Sequence, residues 1–337
     1  MNTILPLYLP QAGCQQQCVY CNQPLTVGAH QDRPDWQTRL AQCATNQPAG
    51  EWEIAFYGGT FTALPREFQS ACFEAAARYR YQIAGYRIST RPDAVDPAAL
   101  RFLRQQGVKT IELGVESLDD AVLQRSGRGH DAATAIDACR RIADHGFTLG
   151  IHLMTGLPGQ SDDSWRATVQ QALCLPLNLV RLSPTLVLRD TPLARLYQRG
   201  RYQPQPLDDA IRQCAFAYRC FYHAGVRIAR VGLGLSDSGG DGQDKIIAGP
   251  WHPALRQAVE STLARASIAR ALPDHSAPRL IIQPKDQTIV LGEKNRNRRA
   301  WERDLGRPVA IETDAALPRG VFRCGEATYC LFGEADE

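Results

Sequence analysis

TLGIHLMTGLPGQSDDSWRATVQQAL, residues 148–173, holds the pattern that sets the fold. Thr148–Met154 alternates β-branched and apolar side chains, so it reads as a buried strand. Gly156-Leu157-Pro158-Gly159 breaks that run. Ser161 precedes Asp162 and Asp163, a helix cap followed by acids that suit the positive end of the helix dipole. From Ser161 to Leu173 apolar residues recur at three- and four-residue spacing, as on one helix face. Strand, glycine turn and helix make one half of a parallel βαβ unit.

The same unit recurs on both sides. Strands are expected at Ile4–Tyr8, Ile54–Tyr57, Tyr86–Thr90, Thr110–Gly114, Leu179–Ser183 and Val226–Val231, with helices at Arg66–Arg80, Asp131–His145 and Leu207–His223. Asp96-Pro97 has the form of a cap with proline at the first helical position. Six or seven such units over roughly 230 residues predict an α/β chain built as a partial or near-complete parallel (β/α) barrel, with an open sheet as the alternative. The expected organisation is a barrel over residues 1–235, a Gly-rich loop and connecting helix over 236–278, and a small α+β extension over 279–337. The last reads strand, helix, strand, strand.

Hydrophobic residues make up 44% of the 337 and charged residues 22%, the balance of a soluble globular protein. No apolar run approaches the length that spans a bilayer. The N-terminal stretch lacks a basic region and a cleavage site, so a cytoplasmic setting is expected and no membrane partner. The net charge of +3 is too small to argue for nucleic acid by itself. The eleven cysteines are expected as buried thiols or metal ligands rather than disulfides.

Three cysteines are tightly spaced: Cys14, Cys18 and Cys21, in the loop after the first strand. Three thiolates can converge on one metal centre if the loop wraps around it. A 4Fe-4S cluster normally takes four, so three leave one iron open to a ligand. A structural zinc site normally closes with four ligands, and no fourth sits nearby. Ordinary buried thiols or part of a zinc knuckle are the alternatives on spacing alone.

The motif CxxxCxxC, with Tyr20 before the third cysteine, resembles the cluster loop of the radical S-adenosylmethionine (radical SAM) superfamily. The match continues through FYGGTFTALP (Phe56–Pro65), ISTRPDAV (Ile88–Val95), IELGVESLDDAVLQRSGRGH (Ile111–His130) and GIHLMTGLPGQ (Gly150–Gln160). Together these most resemble the radical SAM domain of the Elongator catalytic subunit and its stand-alone prokaryotic relatives, and more distantly oxygen-independent coproporphyrinogen oxidase. The resemblance covers approximately residues 1–235. It implies a barrel of the radical SAM type, a 4Fe-4S cluster on the three cysteines, and S-adenosyl-L-methionine chelating the open iron.

It also implies site residues. Gly58, Gly59 and Thr60 fall in the Gly-Gly motif that receives the SAM amino group, and Tyr20 packs near the adenine. Ser89 and Thr90 match polar strand ends near the methionine or ribose. Arg128 matches a clamp on the SAM carboxylate, a task its planar fork suits. His152 matches a position facing the ribose hydroxyls, and Gly156-Leu157 closes its strand near the adenine. Glu116 stands where relatives often carry Gln. Strand alternation puts Glu112, Gly114 and Glu116 on one inward face. A buried carboxylate there needs a cation, a hydroxyl or a ligand, and an arginine ion pair is the structural alternative. Arg181, Ser183 and Arg230 are further substrate-side candidates. No residue is singled out as catalytic.

Between Arg279 and Arg323 there are ten basic and six acidic residues. Arg296, Arg299 and Arg303 form a stripe at i, i+3 and i+7 of an expected helix. The segment resembles a KH module slightly, but Gly292-Glu293-Lys294-Asn295 lacks the second glycine of its GxxG loop and carries an acid. A solvated helix on a small cap is the plainer expectation.

The resemblance implies reductive cleavage of SAM to a 5′-deoxyadenosyl radical, with an external one-electron reductant such as flavodoxin or ferredoxin. It points to modification of tRNA or other RNA. Acetyl-CoA chemistry is not expected in the roughly 100 residues after the barrel. A radical enzyme acting on a small metabolite is the runner-up. A non-catalytic iron–sulfur protein, carrying electrons or sensing redox state on RNA, is the third reading.

Overall fold

The computed structural model describes residues 3–9, 12–15, 17–23, 25, 36–46, 52–79, 83–233, 242–272 and 278–333. Seven strands form one sheet: β1 (Thr3–Tyr8), β2 (Trp52–Tyr57), β3 (Ile83–Thr90), β4 (Val108–Glu116), β5 (Thr148–Thr155), β6 (Leu179–Pro184) and β7 (Arg227–Val231). Every neighbouring pair is parallel, and the strands lie in chain order from β1 to β7. A doubly wound sheet reverses its order at a switch point and covers both faces with helices. An unreversed order sends every right-handed crossover to the same face. The sheet therefore curls into a partial barrel with helices outside and a polar concave face inside.

The seven expected strands are all present. The helices are α1 (Trp36–Asn46), α2 (Arg66–Ala77), α3 (Pro97–Gln105), α4 (Asp120–Arg125), α5 (Ala132–Asp144), α6 (Asp162–Leu173), α7 (Pro192–Gln198), α8 (Leu207–His223) and α9 (Leu255–Ala271). Local chemistry sets their starts. Asp96, Asp131 and Ser161 accept hydrogen bonds from Ala99, Thr134 and Ser164 backbone N–H groups, each cap worth about 1 kcal/mol. Outward strand residues such as Leu7, Ile54, Ile88, Ile111, Ile151 and Leu182 join one core with the helices. Their inward neighbours are left for the concave face.

The C-terminal unit has a four-stranded sheet of β8 (Arg279–Ile282), β9 (Ala310–Thr313), β10 (Val321–Cys324) and β11 (Ala327–Cys330), ordered β9-β8-β10-β11. The single helix expected here is two: α10 (Gln287–Leu291) and α11 (Arg296–Leu305). Lys294 and Asn295 adopt left-handed backbone between them, which ends one helix and re-aims the next. One strand more than expected completes the sheet. Residues 234–241, most of the expected Gly-rich loop, lie outside the described residues. No described helix is long and apolar enough to cross a membrane.

Candidate functional site

A cavity of about 600 Å3 opens at the C-terminal strand ends, where parallel barrels carry their chemistry. Cys14, Cys18, Cys21, Tyr20, Gly58, Gly59, Thr60, Ser89, Thr90, Glu112, Glu116, Arg128 and His152 all line it, as do Arg181, Ser183 and Arg230. Gly156 and Leu157 do not. Leu157 packs with Val122 and Met154 beside Tyr20, and Gly156 O accepts the Tyr202 hydroxyl.

The cysteine loop is fixed from three sides. Thr60 N–H donates to Ala12 O at 2.9 Å, Val19 N–H to Ser126 O at 3.1 Å, and Leu193 N–H to Val19 O at 2.8 Å. The Gly-Gly turn works against this loop as well as facing the cavity. A Cβ on Gly59 would fall 2.2 Å from Ala12 O, and one on Gly13 would fall 2.3 Å from Thr60 O. Only glycines let the two turns touch this closely.

The three thiols share one wall. Cys14 Sγ lies 3.3 Å from Thr60 Oγ1. Cys18 is buried, and its Sγ accepts from Arg128 Nη1 at 3.0 Å. Burial first, then the neighbouring Cys18 and Cys14, pushes the Cys21 thiol up to about 12. Among the described residues no three His, Cys, Asp or Glu side chains close on one point as ligands of a single ion would. A four-iron cluster asks for less, since each thiolate binds its own iron.

Arg128 is buried at the end of a tight turn after α4, where its own N–H bonds Leu123 O. Besides Cys18 it reaches Gly114 O, and its Nε has no hydrogen-bond partner. Burial opposes its charge, but the Tyr20, Cys18 and Glu116 side chains hold it firmly protonated. The buried Tyr20 hydroxyl is likewise without a hydrogen-bond partner. Buried polar atoms left this way are costly unless a ligand meets them.

Glu116 was expected to need a cation, a hydroxyl or a ligand, with an arginine ion pair as the alternative, and its nearer partner is a histidine. His152 Nδ1 lies 2.9 Å from Glu116 Oε2, whereas Arg128 stands 4.0 Å from Oε1. A register shift between Gly114 and Glu116 brings this about, with Glu116 at φ 67°. Burial works against its ionisation, but His152 and Arg128 outweigh it and hold the carboxyl below its usual range.

Deeper in the barrel sits a charge network that strand patterns only hinted at. Glu112 accepts from Tyr57 Oη at 2.6 Å and Arg87 Nη1 at 2.8 Å, and Arg181 Nε lies 2.5 Å from its other oxygen. Arg87 also donates to Glu53 through Nε at 3.0 Å. Arg181 stacks over the Tyr57 ring at 4.8 Å. Two acids balance two arginines. Burial opposes ionisation of Glu112, but Arg181, Arg87 and Tyr57 together lower its carboxyl. Tyr57 and Arg87 were not singled out from sequence. The alternation of Arg87 with core residue Ile88 was the available signal.

The donor set fits an iron–sulfur cluster with a charged, hydroxylated ligand beside it: three thiols, a buried guanidinium, an unpartnered hydroxyl and a carboxylate–imidazole pair. Comparison with known proteins agrees. The sequence profile of the radical SAM superfamily matches residues 8–172, and that of the radical SAM C-terminal domain matches 177–265. The chain is 28% identical over 192 residues to the "tRNA uridine(34) acetyltransferase" of Methanocaldococcus infernus, covering 50% of this chain and 36% of that one. It is 28% identical over 186 residues to mouse "Elongator complex protein 3", covering 48% and 34%. The chain thus spans about a third of the length of these two relatives. The archaeal Elp3 of Methanocaldococcus infernus shares the fold, with a TM-score of 0.63 at 20% identity, over 79% of this chain and 64% of that one.

Proposed function

The chain belongs to the radical SAM superfamily and is an enzyme of that class, and from that premise we propose that it reductively cleaves S-adenosylmethionine to modify tRNA. The observation that carries the cleavage reading is one wall of one cavity, where Cys14, Cys18 and Cys21 meet Arg128 and the Glu116–His152 pair. Cys14, Cys18 and Cys21 would hold a 4Fe-4S cluster. Bound there, cluster and SAM would supply a 5′-deoxyadenosyl radical, with methionine as the leaving group and an external one-electron reductant such as flavodoxin or ferredoxin as the source of the electron.

The protein's own residues bind and orient. Arg128 offers its planar fork to the SAM carboxylate beside Cys18. Gly58, Gly59 and Thr60 present backbone to the SAM amino group, with Ser89 and Thr90 along the methionine. Glu116 and His152 face the ribose hydroxyls, and Tyr20 flanks the adenine with Leu157 and Gly156 behind it. Cavity volume fits a ligand of this size, since sites for such ligands span about 300–1,000 Å3. A reducing cytoplasm, where thiols persist, suits the cysteine set.

The RNA assignment is supported by the Methanocaldococcus infernus relative, a tRNA uridine(34) acetyltransferase. Acetyl transfer is not carried over, because so little of that relative's length is matched. Electron paramagnetic resonance of the dithionite-reduced protein tests the SAM site. A signal that shifts on adding SAM is expected, and an unchanged signal counts against an open iron. A tRNA nucleoside profile of a deletion strain tests the substrate. Loss of one modified nucleoside is expected, and an unchanged profile removes tRNA.

A further inference from the structure

Ion pairing in the C-terminal half is selective. Arg256 pairs with Glu260, Arg279 with Glu312, Arg298 with Glu302, Arg319 with Asp286 and Arg323 with Asp314. Among the cations outside this pattern are Arg265, Lys294, Arg296 and Arg299, all exposed and in no ion pair among the described residues. They are not scattered. With Arg303 and the single acid Glu293 they line one open cleft of about 460 Å3. Arg303 shares its charge only with adjacent, exposed Asp304 at 3.4 Å.

The cleft is built on a fixed frame. Helix α11 turns Asn297, Ala300 and Trp301 inward. Asn297 Nδ2 donates to Ser261 O at 3.0 Å and to Val290 O at 3.0 Å, and Trp301 Nε1 donates to Arg265 O at 3.1 Å. These bonds clamp α11 to α9 and set Arg265 opposite the stripe of Arg296, Arg299 and Arg303. Gly292 lies where a Cβ would press on Ser261 and Asn297, which keeps the turn against α9. Five like charges held together repel one another, so leaving four of them unpaired costs stability. A polyanion offsets that cost.

We infer that this cleft is a docking surface for the phosphate backbone of RNA, set apart from the cluster cavity in the fold. Guanidiniums bind phosphate oxygens through paired N–H donors, and the net charge of +3 is too low to draw RNA without such a local concentration. The inference deepens the tRNA reading and rests on it for the identity of the polyanion.

The test is titration of a labelled tRNA transcript with the cluster-loaded full chain, between about 50 and about 200 mM salt. Wild type is set beside a Lys294→Ala/Arg296→Ala/Arg299→Ala variant. An Arg298→Ala/Glu302→Ala variant, which removes a paired charge of each sign, is the control. Removing three phosphate contacts is expected to weaken binding about tenfold or more and to flatten the slope of log affinity on log salt by about 2 to 3. The control keeps the wild-type slope. Thermal melts confirm folding, which these exposed side chains do not decide, and 5′-deoxyadenosine formed without RNA stays at the wild-type rate.

An unchanged affinity and slope in the triple variant overturns the inference. So does a wild type that binds anionic lipid vesicles and not tRNA. Binding that is lost in the triple variant while a deletion strain keeps a normal tRNA profile supports the docking surface and sinks only the substrate assignment.

Discussion

Replacing Glu112 with glutamine keeps the volume and removes one of two negative charges from the buried network. Arg87 then keeps Glu53 while Arg181 loses its carboxylate partner, and the group moves from formally neutral to one excess positive charge. Glu112 is 6% exposed and Arg87 4% exposed, so solvent screens little of this. Breaking a buried pair by removing one partner costs about 3–5 kcal/mol. The Arg181 side chain is 24% exposed and can turn toward the cavity, which places the cost near the low end, about 3 kcal/mol. Unfolding entropy of about 2.1 cal/mol/K per residue gives a 337-residue chain about 0.7 kcal/mol/K, so the melting midpoint falls by about 4 °C. Differential scanning calorimetry at neutral pH reads this directly. The sign with pH follows from linkage. A carboxyl held below its ordinary 4.5 adds stability above that value and loses it as pH falls through the folded value. The gap between wild type and Glu112→Gln therefore narrows in acid. An unchanged midpoint at neutral pH, or a gap that widens in acid, refutes an ionised Glu112 at the centre of this network.

Three further outcomes are expected. Cys14→Ala, Cys18→Ala or Cys21→Ala each abolishes the brown iron–sulfur absorbance after anaerobic reconstitution, and a fully coloured variant removes that cysteine from the ligand set. Arg128→Lys loads the cluster but weakens SAM binding by about 10–100-fold, the value of a charge-assisted bond of about 1.5–3 kcal/mol; equilibrium dialysis shows it, and wild-type affinity contradicts the clamp. Gly59→Ala forces a methyl into Ala12 O, costs about 1–3 kcal/mol or more and lowers cluster loading together with the melting midpoint.

The seven barrel strands were legible because each is a run of core residues punctuated by glycine, proline or a cap, all local signals. The cysteine loop at the cavity was legible because its three cysteines lie within eight residues. Pairings across the sheet were not. Tyr57 meets Glu112 across 55 residues and Arg181 meets it across 69, contacts that exist only once strand register is set. Glu116 shows the limit sharply: alternation turned it inward, but the register shift after Gly114 chose His152 as its neighbour. The split between α10 and α11 was hidden for another reason. Lys294 and Asn295 sit in a run of helix-compatible residues, and their left-handed backbone is imposed by packing of α11 on α9. The stripe of Arg296, Arg299 and Arg303 was visible, but Arg265 joins it only through the Trp301 and Asn297 clamps.

Formation of 5′-deoxyadenosine is the most direct test of the central claim. The reconstituted protein is incubated anaerobically with dithionite and SAM, and the products are separated by chromatography. Wild type is expected to release 5′-deoxyadenosine and methionine in equal amounts, and Cys18→Ala neither. A wild-type protein that carries its cluster yet yields no 5′-deoxyadenosine, with or without tRNA, contradicts the account.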